Sequence, residues 1–124
     1  MRLHTKYGPK TAKNRFYQPG HCNGMGRMRP RSHARMRGIK AEGGWAVIST
    51  EQIDIHPSGD ITPATEGRLW SDQDIPYLAR MADAVHQHGS LASIEPVHNG
   101  KWAPNLYSRD VPLFPTHMPN PWRN

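Results

Sequence analysis

Cys22 is the only cysteine among 124 residues, and it stands beside His21 with Gly20 and Gly24 close on either side. A thiol in such a setting can be an attachment point for a cofactor or, paired with a base, a nucleophile. Two further stretches carry useful groups, Glu51-Gln52 and Glu95 with His98. Each group also has a plainer reading. A free cysteine is often inert packing, and on composition alone that reading leads. His98 can be a solvated loop histidine. Glu95 closes an apolar run, so a carboxylate buried there needs a partner: a polar ring edge, an amide, or a nearby cation such as Arg109. His21 as a base for Cys22 is disfavoured, because neighbours on a strand point to opposite faces.

Other chemistries lack their signatures. His4, His33, His56, His86, His88 and His117 sit in no HExxH or CxxC context. His86 and His88 are two apart and cannot share a helix face. No GxGxxG or GxxxxGK[ST] occurs, and Gly20, Gly24 and Gly26 suit a flexible rim loop. One cysteine excludes an internal disulfide framework and any four-cysteine zinc or iron–sulfur site in this chain, and it suits a reducing compartment. No run approaches the roughly 18 apolar residues of a membrane span, and Met1–Tyr7 has no apolar signal core. The cytoplasm is the expected location.

The groups must be held by secondary structure. Arg15–Gln18, Trp45–Thr50 and Leu91–Ile94 are predicted strands. The last two are apolar without alternation, as in strands covered on both faces. Ser71–His88 is predicted helix, with Ile75, Leu78, Ala82 and Val85 as its stripe. Ser71 and Asp74 fit a capping box, Pro76 belongs in the first turn, and Gly89 suits the C-terminal stop. Ser32–Glu42 is a weaker helix with a poor stripe of Ala34, Ile39 and Ala41, stopped by Gly43-Gly44. Strand, helix, strand, helix, strand implies right-handed βαβ units and a parallel sheet. The loop Gln52–Trp70 is expected to fold over one sheet end, and Trp102–Asn124 is Pro-rich and extended. Ligands of such sheets bind at the carboxyl ends of strands. Cys22, Glu51, Gln52, Glu95 and His98 are all predicted to fall there.

Net charge is +6 with histidine neutral. Arg27, Arg29, Arg31, Arg35 and Arg37 cluster ahead of and within the first helix. Such a cluster could engage a polyanion. No aromatic residue interleaves it to stack bases, which favours a solvated basic loop and no nucleic-acid partner.

Several separated motifs resemble one family in order and spacing. They are Asn14-Arg15-Phe16-Tyr17-Gln18, His21-Cys22, Lys40-Ala41-Glu42-Gly43-Gly44-Trp45-Ala46, Thr50-Glu51, Ala103-Pro104-Asn105 and Ser108-Arg109. From about Gly8 to Pro112 they are similar to the N-terminal part of the trimethylamine, dimethylamine and histamine dehydrogenases, old yellow enzyme-like FMN barrels. The resemblance implies an α/β fold: residues 1–112 as the first three β/α units of a (β/α)8 TIM barrel, left incomplete, and 113–124 as the extended tail. It implies FMN, with Cys22 matching the cysteine joined covalently to C6 of the flavin. Glu95 matches the position that meets the polar edge of the flavin ring, and Gly20 and His21 flank the tether. Gln52 falls where the trimethylamine enzyme has an aromatic bowl residue, and its carbonyl suits an ammonium that still carries a proton. His98, Gly100 and Lys101 resemble a His-x-Gly-Arg stretch at the rim. Gln52 and His98 are therefore the candidate catalytic residues.

The implied activity is oxidation of the carbon next to an amine nitrogen. The implied partners are a small amine and, for the full-length enzyme, an electron-acceptor protein; a homodimer is implied at full length. A 4Fe–4S centre is expected only downstream. Gly20 departs from a proline common in relatives, and Asn99 and Lys101 differ as well. A TIM barrel needs about 250 residues, so three strands alone leave an open sheet edge. The expectation is a piece that is unstable and inactive by itself. Two rivals stand beside this reading: an NAD(P)H-dependent enoate or dienoyl reductase barrel, and a small basic nucleic-acid-binding protein.

Overall fold

A computed structural model describes residues 4–61, 67–116 and 118. His117 and most of the Pro-rich tail lie outside those residues. Residues 113–116 and 118 carry neither helix nor strand.

The elements in order are β1 (Thr5–Tyr7), β2 (Lys10–Ala12), β3 (Tyr17–Gln18), α1 (Pro30–Glu42), β4 (Val47–Asp54), β5 (Gly67–Arg68), α2 (Ile75–His86) and β6 (Leu91–Val97). β1 and β2 form an antiparallel hairpin. β4 is the centre of a parallel sheet. β6 pairs along one edge of it. β3 pairs at its start, Gln18 opposite Ile48, and β5 pairs at its end, Ile53 opposite Gly67. The predicted βαβ order and parallel sheet are therefore present, as an open sheet and not a closed barrel.

Local signals explain the helices. Pro30 begins α1 where a missing N–H costs nothing. Gly43 ends it, and Gly44 follows at φ 104°, a value that favours glycine. Before α2, a short 3-10 turn over Asp72–Asp74 carries a full capping box between Ser71 and Asp74. Gly89 at φ 66° lets the chain leave.

Three apolar clusters bind the layers. Ala34, Ala41, Ile48, Met81 and Val85 join both helices to the sheet. Ala12, Ala46 and Val47, with Leu91, seat the hairpin against the strand starts. Ile53, Tyr77 and Leu78 do the same work at the strand ends. Each fully buried large side chain contributes about 1.5–3 kcal/mol of transfer free energy.

Several boundaries differ from expectation. The first strand is only two residues, because Ala46 and Val47 amides already bond the Phe16 carbonyl and the chain then leaves the sheet. β4 runs to Asp54, so Glu51 and Gln52 lie inside the strand and not beyond it. Glu95 likewise lies inside β6. It is exposed, so it needs no buried partner. In α2 the buried face is Tyr77, Leu78, Met81 and Val85, whereas Ile75 is half exposed. In α1 the buried face is His33, Ala34, Arg37, Gly38 and Ala41, and Ile39 is exposed. Polar residues on that face hid its period from a hydrophobic reading. The hairpin was not foreseen, because its short polar strands carry no apolar alternation. No helix among the described residues is long and apolar enough to cross a membrane.

Candidate functional site

The site forms where β4 and β6 fall out of simple step. Ser49 pairs with Ser93, yet Gln52 is the next β4 residue in register, opposite Glu95. β4 thus holds one residue more than β6 over this stretch, which is a β-bulge. Thr50, fully buried, stitches it. Its hydroxyl donates to the Glu51 carbonyl at 2.7 Å and accepts from the Glu95 amide at 3.1 Å. The bulge separates two neighbours. Gln52 is half buried and shares a face with its register partner Glu95. Glu51 is fully buried and within Coulombic reach of Arg37 and Tyr77.

The loop after β3 packs onto this bulge. A Cβ on Gly20 would overlap the Glu95 carboxylate and lie 2.8 Å from the Thr50 carbonyl, so a larger residue would have to displace Glu95 and shift the loop off the strand. Glu51 Oε2 accepts from the Asn23 amide at 3.3 Å. Between those anchors sits Cys22, exposed.

His21 turns towards α1. Its Nε2 faces two obligate donors, Arg37 Nη1 at 3.0 Å and Lys40 Nζ at 2.9 Å. Its Nδ1 is approached by Gln18 Nε2 at 2.9 Å as well as by the Pro19 carbonyl at 3.4 Å, so donors face both ring nitrogens. Burial, then the charges of Arg37 and Lys40, hold the His21 pKa below its ordinary value. A neutral ring whose lone pair is taken by cations does not serve as a base for Cys22. Its role here is to hold the loop. Arg37 donates to the His21 carbonyl at 3.0 Å through Nη2. Its own pKa is lowered by burial, against the opposing pull of Glu51 and Cys22.

His98 belongs to a second cluster. Its Nδ1 accepts from the Gly100 amide at 3.1 Å, which leaves Nε2 to donate to Ser58 Oγ at 3.0 Å. Ser58 Oγ lies 2.8 Å from His56 Nδ1, and that nitrogen also accepts the Ser58 amide at 3.2 Å. The two imidazoles stack with centroids 6.2 Å apart. Asn99 ties the loop to Asp54 at 3.0 Å and to the Gly59 carbonyl at 2.8 Å. Asp60 Oδ2 accepts the amides of Tyr107 and Ser108, both at 2.9 Å. Both nitrogens of His98 are thus engaged in tying loops together.

Of the sequence candidates, Gly20, Gln52 and Glu95 come together beside the loop of His21 and Cys22, and His98 is committed elsewhere. Thr50 was visible only within a family motif and Arg37 only within the arginine cluster, and Ser58 and Asp60 gave no signal. Only the spacing Arg37–Lys40 against Gly43-Gly44 hinted that α1 presents cations near its end. The arginine cluster does not act as one patch: Arg37 is fully buried and Arg27 pairs with Asp74 at 3.1 Å. Among the described residues no group of three or more histidine, cysteine or acidic side chains could hold a metal.

The sequence over residues 5–120 matches the pattern of the NADH:flavin oxidoreductase / NADH oxidase family. This chain belongs to that family. Flavin is the family's cofactor. The chain is 47% identical over 111 residues to a dimethylamine dehydrogenase of Hyphomicrobium sp. (strain x), covering 90% of this chain and 15% of that protein. Its fold superposes on histamine dehydrogenase from Rhizobium sp. 4-9 with a TM-score of 0.91 at 52% identity, covering 95% of this chain and 17% of the other. An amine oxidase from Pseudomonas geniculata N1 acting on 6-hydroxypseudooxynicotine gives 0.87 at 38% identity, over 97% and 19%. The chain therefore spans less than a fifth of the length of these relatives. The old yellow enzyme homologue of Zymomonas mobilis, at 23% identity and a TM-score of 0.75, shares the fold.

Proposed function

We propose that this chain forms the opening β/α units of an FMN-dependent amine dehydrogenase. The observation that carries the reading is the likeness, at 47% and 52% identity, to a dimethylamine and a histamine dehydrogenase. The site chemistry fits the group. The exposed Cys22 thiol would tether FMN, and the exposed Glu95 carboxylate would accept a hydrogen bond from the polar ring edge. Gly20 lets the tether loop lie against the strand ends, since a side chain there would meet the Glu95 carboxylate and the Thr50 carbonyl. When bound, FMN supplies the two-electron acceptor for a hydride from the carbon beside the amine nitrogen, leaving an imine that water hydrolyses to an aldehyde and a smaller amine.

The residues of this chain bind and orient. Gln52, in register with Glu95, would present its amide carbonyl to a protonated ammonium. His21 and Arg37 hold the tether loop. His98, with Ser58 and His56, ties the loops after β4 and β6 together. A small amine as substrate and an external electron acceptor follow from the same likeness.

The test is intact mass under denaturing conditions after expression with FMN, for the wild-type chain and Cys22→Ala. A mass gain of one FMN, absent in the variant, is expected. In a protein of the relatives' full length that carries this segment, anaerobic addition of dimethylamine or histamine should bleach the flavin absorbance. Bleaching by NADPH and by neither amine would replace this reading with an NADPH dehydrogenase, the activity named for the Listeria proteins that are 34% identical over 64 residues.

A further inference from the structure

Cys22 is exposed, but its two neighbours are half-buried and fastened to other elements. On one side, the His21 carbonyl accepts from Arg37 Nη2 of α1 at 3.0 Å, and Gly20 before it lies against the Glu95 carboxylate and the Thr50 carbonyl. On the other side stands Asn23, which uses three polar atoms at once. Its amide donates to Glu51 Oε2 on β4 at 3.3 Å. Its Oδ1 accepts the Met25 amide at 2.9 Å, and its Nδ2 donates to Met36 Sδ on α1 at 3.2 Å. The orientation of the side-chain amide follows from chemistry, since a backbone N–H only donates and a thioether only accepts. A side-chain oxygen bonded to the amide two residues on is an Asx turn, which serine imitates weakly and alanine cannot form. The turn passes through Gly24 at φ 69°, a value that favours glycine. The Asn23–Glu51 bond ends on a fully buried carboxylate, so little water competes for it.

We infer that Asn23 is a positioning residue: it pins the turn after Cys22 to β4 and α1, so that the thiol is presented from a loop held on both sides. A loop ordered in advance lowers the entropy lost when a group must bind or react there. The purpose of the pinning rests on Cys22 being the flavin tether; the pinning itself rests on the hydrogen bonds alone.

The test uses a protein of the relatives' full length that carries this segment, as wild type, Asn23→Ser and Asn23→Ala, each supplied with FMN. Bound flavin is measured by absorbance after gel filtration, the covalent fraction by intact mass under denaturing conditions, and loop order by hydrogen exchange of the Met25 amide. In Asn23→Ala that amide should exchange about tenfold faster, the size of one lost hydrogen bond. At a fixed early time the covalent fraction should be about fivefold lower with bound flavin unchanged, and Asn23→Ser should lie between. An unchanged Met25 exchange rate would overturn the inference. So would a wild-type covalent fraction in Asn23→Ala, or a fall that only tracks lost flavin, which marks a merely structural role. If Asn23→Ala does not fold, Asn23→Ser carries the same comparison. No adduct in wild type, with the exchange gap intact, would remove the tether reading and leave Asn23 as the residue that holds the loop.

Discussion

Replacing Thr50 with valine keeps the shape of the side chain and removes only the hydroxyl that stitches the bulge. The site is fully buried, so no water replaces what is lost. The Glu95 amide loses its acceptor at 3.1 Å, and the Glu51 carbonyl loses a donor at 2.7 Å. An orphaned buried amide costs about 1–3 kcal/mol, and the added methyl returns a fraction of that. The net expectation is about 2 kcal/mol of destabilisation. With a urea slope of about 1–3 kcal/mol/M, the midpoint should fall by about 1 M. Thr50→Ser keeps the hydroxyl and loses one buried methyl, about 1 kcal/mol. The order wild type, Thr50→Ser, Thr50→Val is therefore specific to the hydroxyl. The assay is urea unfolding followed by tryptophan fluorescence, with hydrogen exchange of the Glu95 amide beside it. That amide should exchange about thirtyfold faster in Thr50→Val, the equivalent of 2 kcal/mol. A Thr50→Val chain as stable as wild type, or more stable than Thr50→Ser, would refute the claim that this hydroxyl sets the register of Gln52 and Glu95.

His33 is fully buried, its ring nitrogens have no hydrogen-bond partner, and burial together with the charge of Arg37 lowers its pKa to about 4. The unfolded chain takes up that proton below about pH 6.5 and the native chain does not, so stability should fall as pH drops from about 6.5 to 4, by up to about 3 kcal/mol, with no such contribution above 6.5. Urea midpoints across this range should show the slope, and His33→Phe should flatten it; an unchanged slope in the variant would place the proton uptake elsewhere. At Gly38 a Cβ would sit 3.3 Å from the Ala84 carbonyl and 3.4 Å from its Cβ, so α1 and α2 approach through this glycine. Gly38→Ala should be near neutral in thermal melts, helix propensity offsetting the tight contact. Gly38→Leu should cost about 1–3 kcal/mol by overpacking, and a neutral leucine variant would show that the helices do not depend on this contact.

Local signals were legible in the residues themselves. Ser71 with Asp74, Pro76 and Gly89 announce where the second helix begins and ends, because caps act within one turn and need no distant partner. The run ending at Thr50 announces a strand covered on both faces, whereas the run ending at Ile94 is a strand that the structure leaves half-buried to exposed; their alternation with helices implies parallel order. The glycines around Cys22 announce a loop, while its exposure came only from the structure. Gln52 and Glu95 entered as candidates at predicted strand ends and Gly20 through the family resemblance, although the structure sets Gln52 and Glu95 inside their strands.

What a side chain meets across the sheet could not be read the same way. That Glu51 is buried while Gln52 keeps company with Glu95 depends on the bulge, and a bulge is decided by how two strands distant in sequence align. Arg37 looked like one of five exposed arginines until α1 was laid against the tether loop, where His21 and Glu51 come from other elements. His98 seemed free for chemistry until Ser58 arrived, 40 residues earlier in the chain, to bond it. Sequence alone thus determined which elements form and in what order, since those depend on neighbours a few residues away. The tertiary structure decided which polar groups are buried together, because burial and pairing are properties of surfaces that only packing brings into contact.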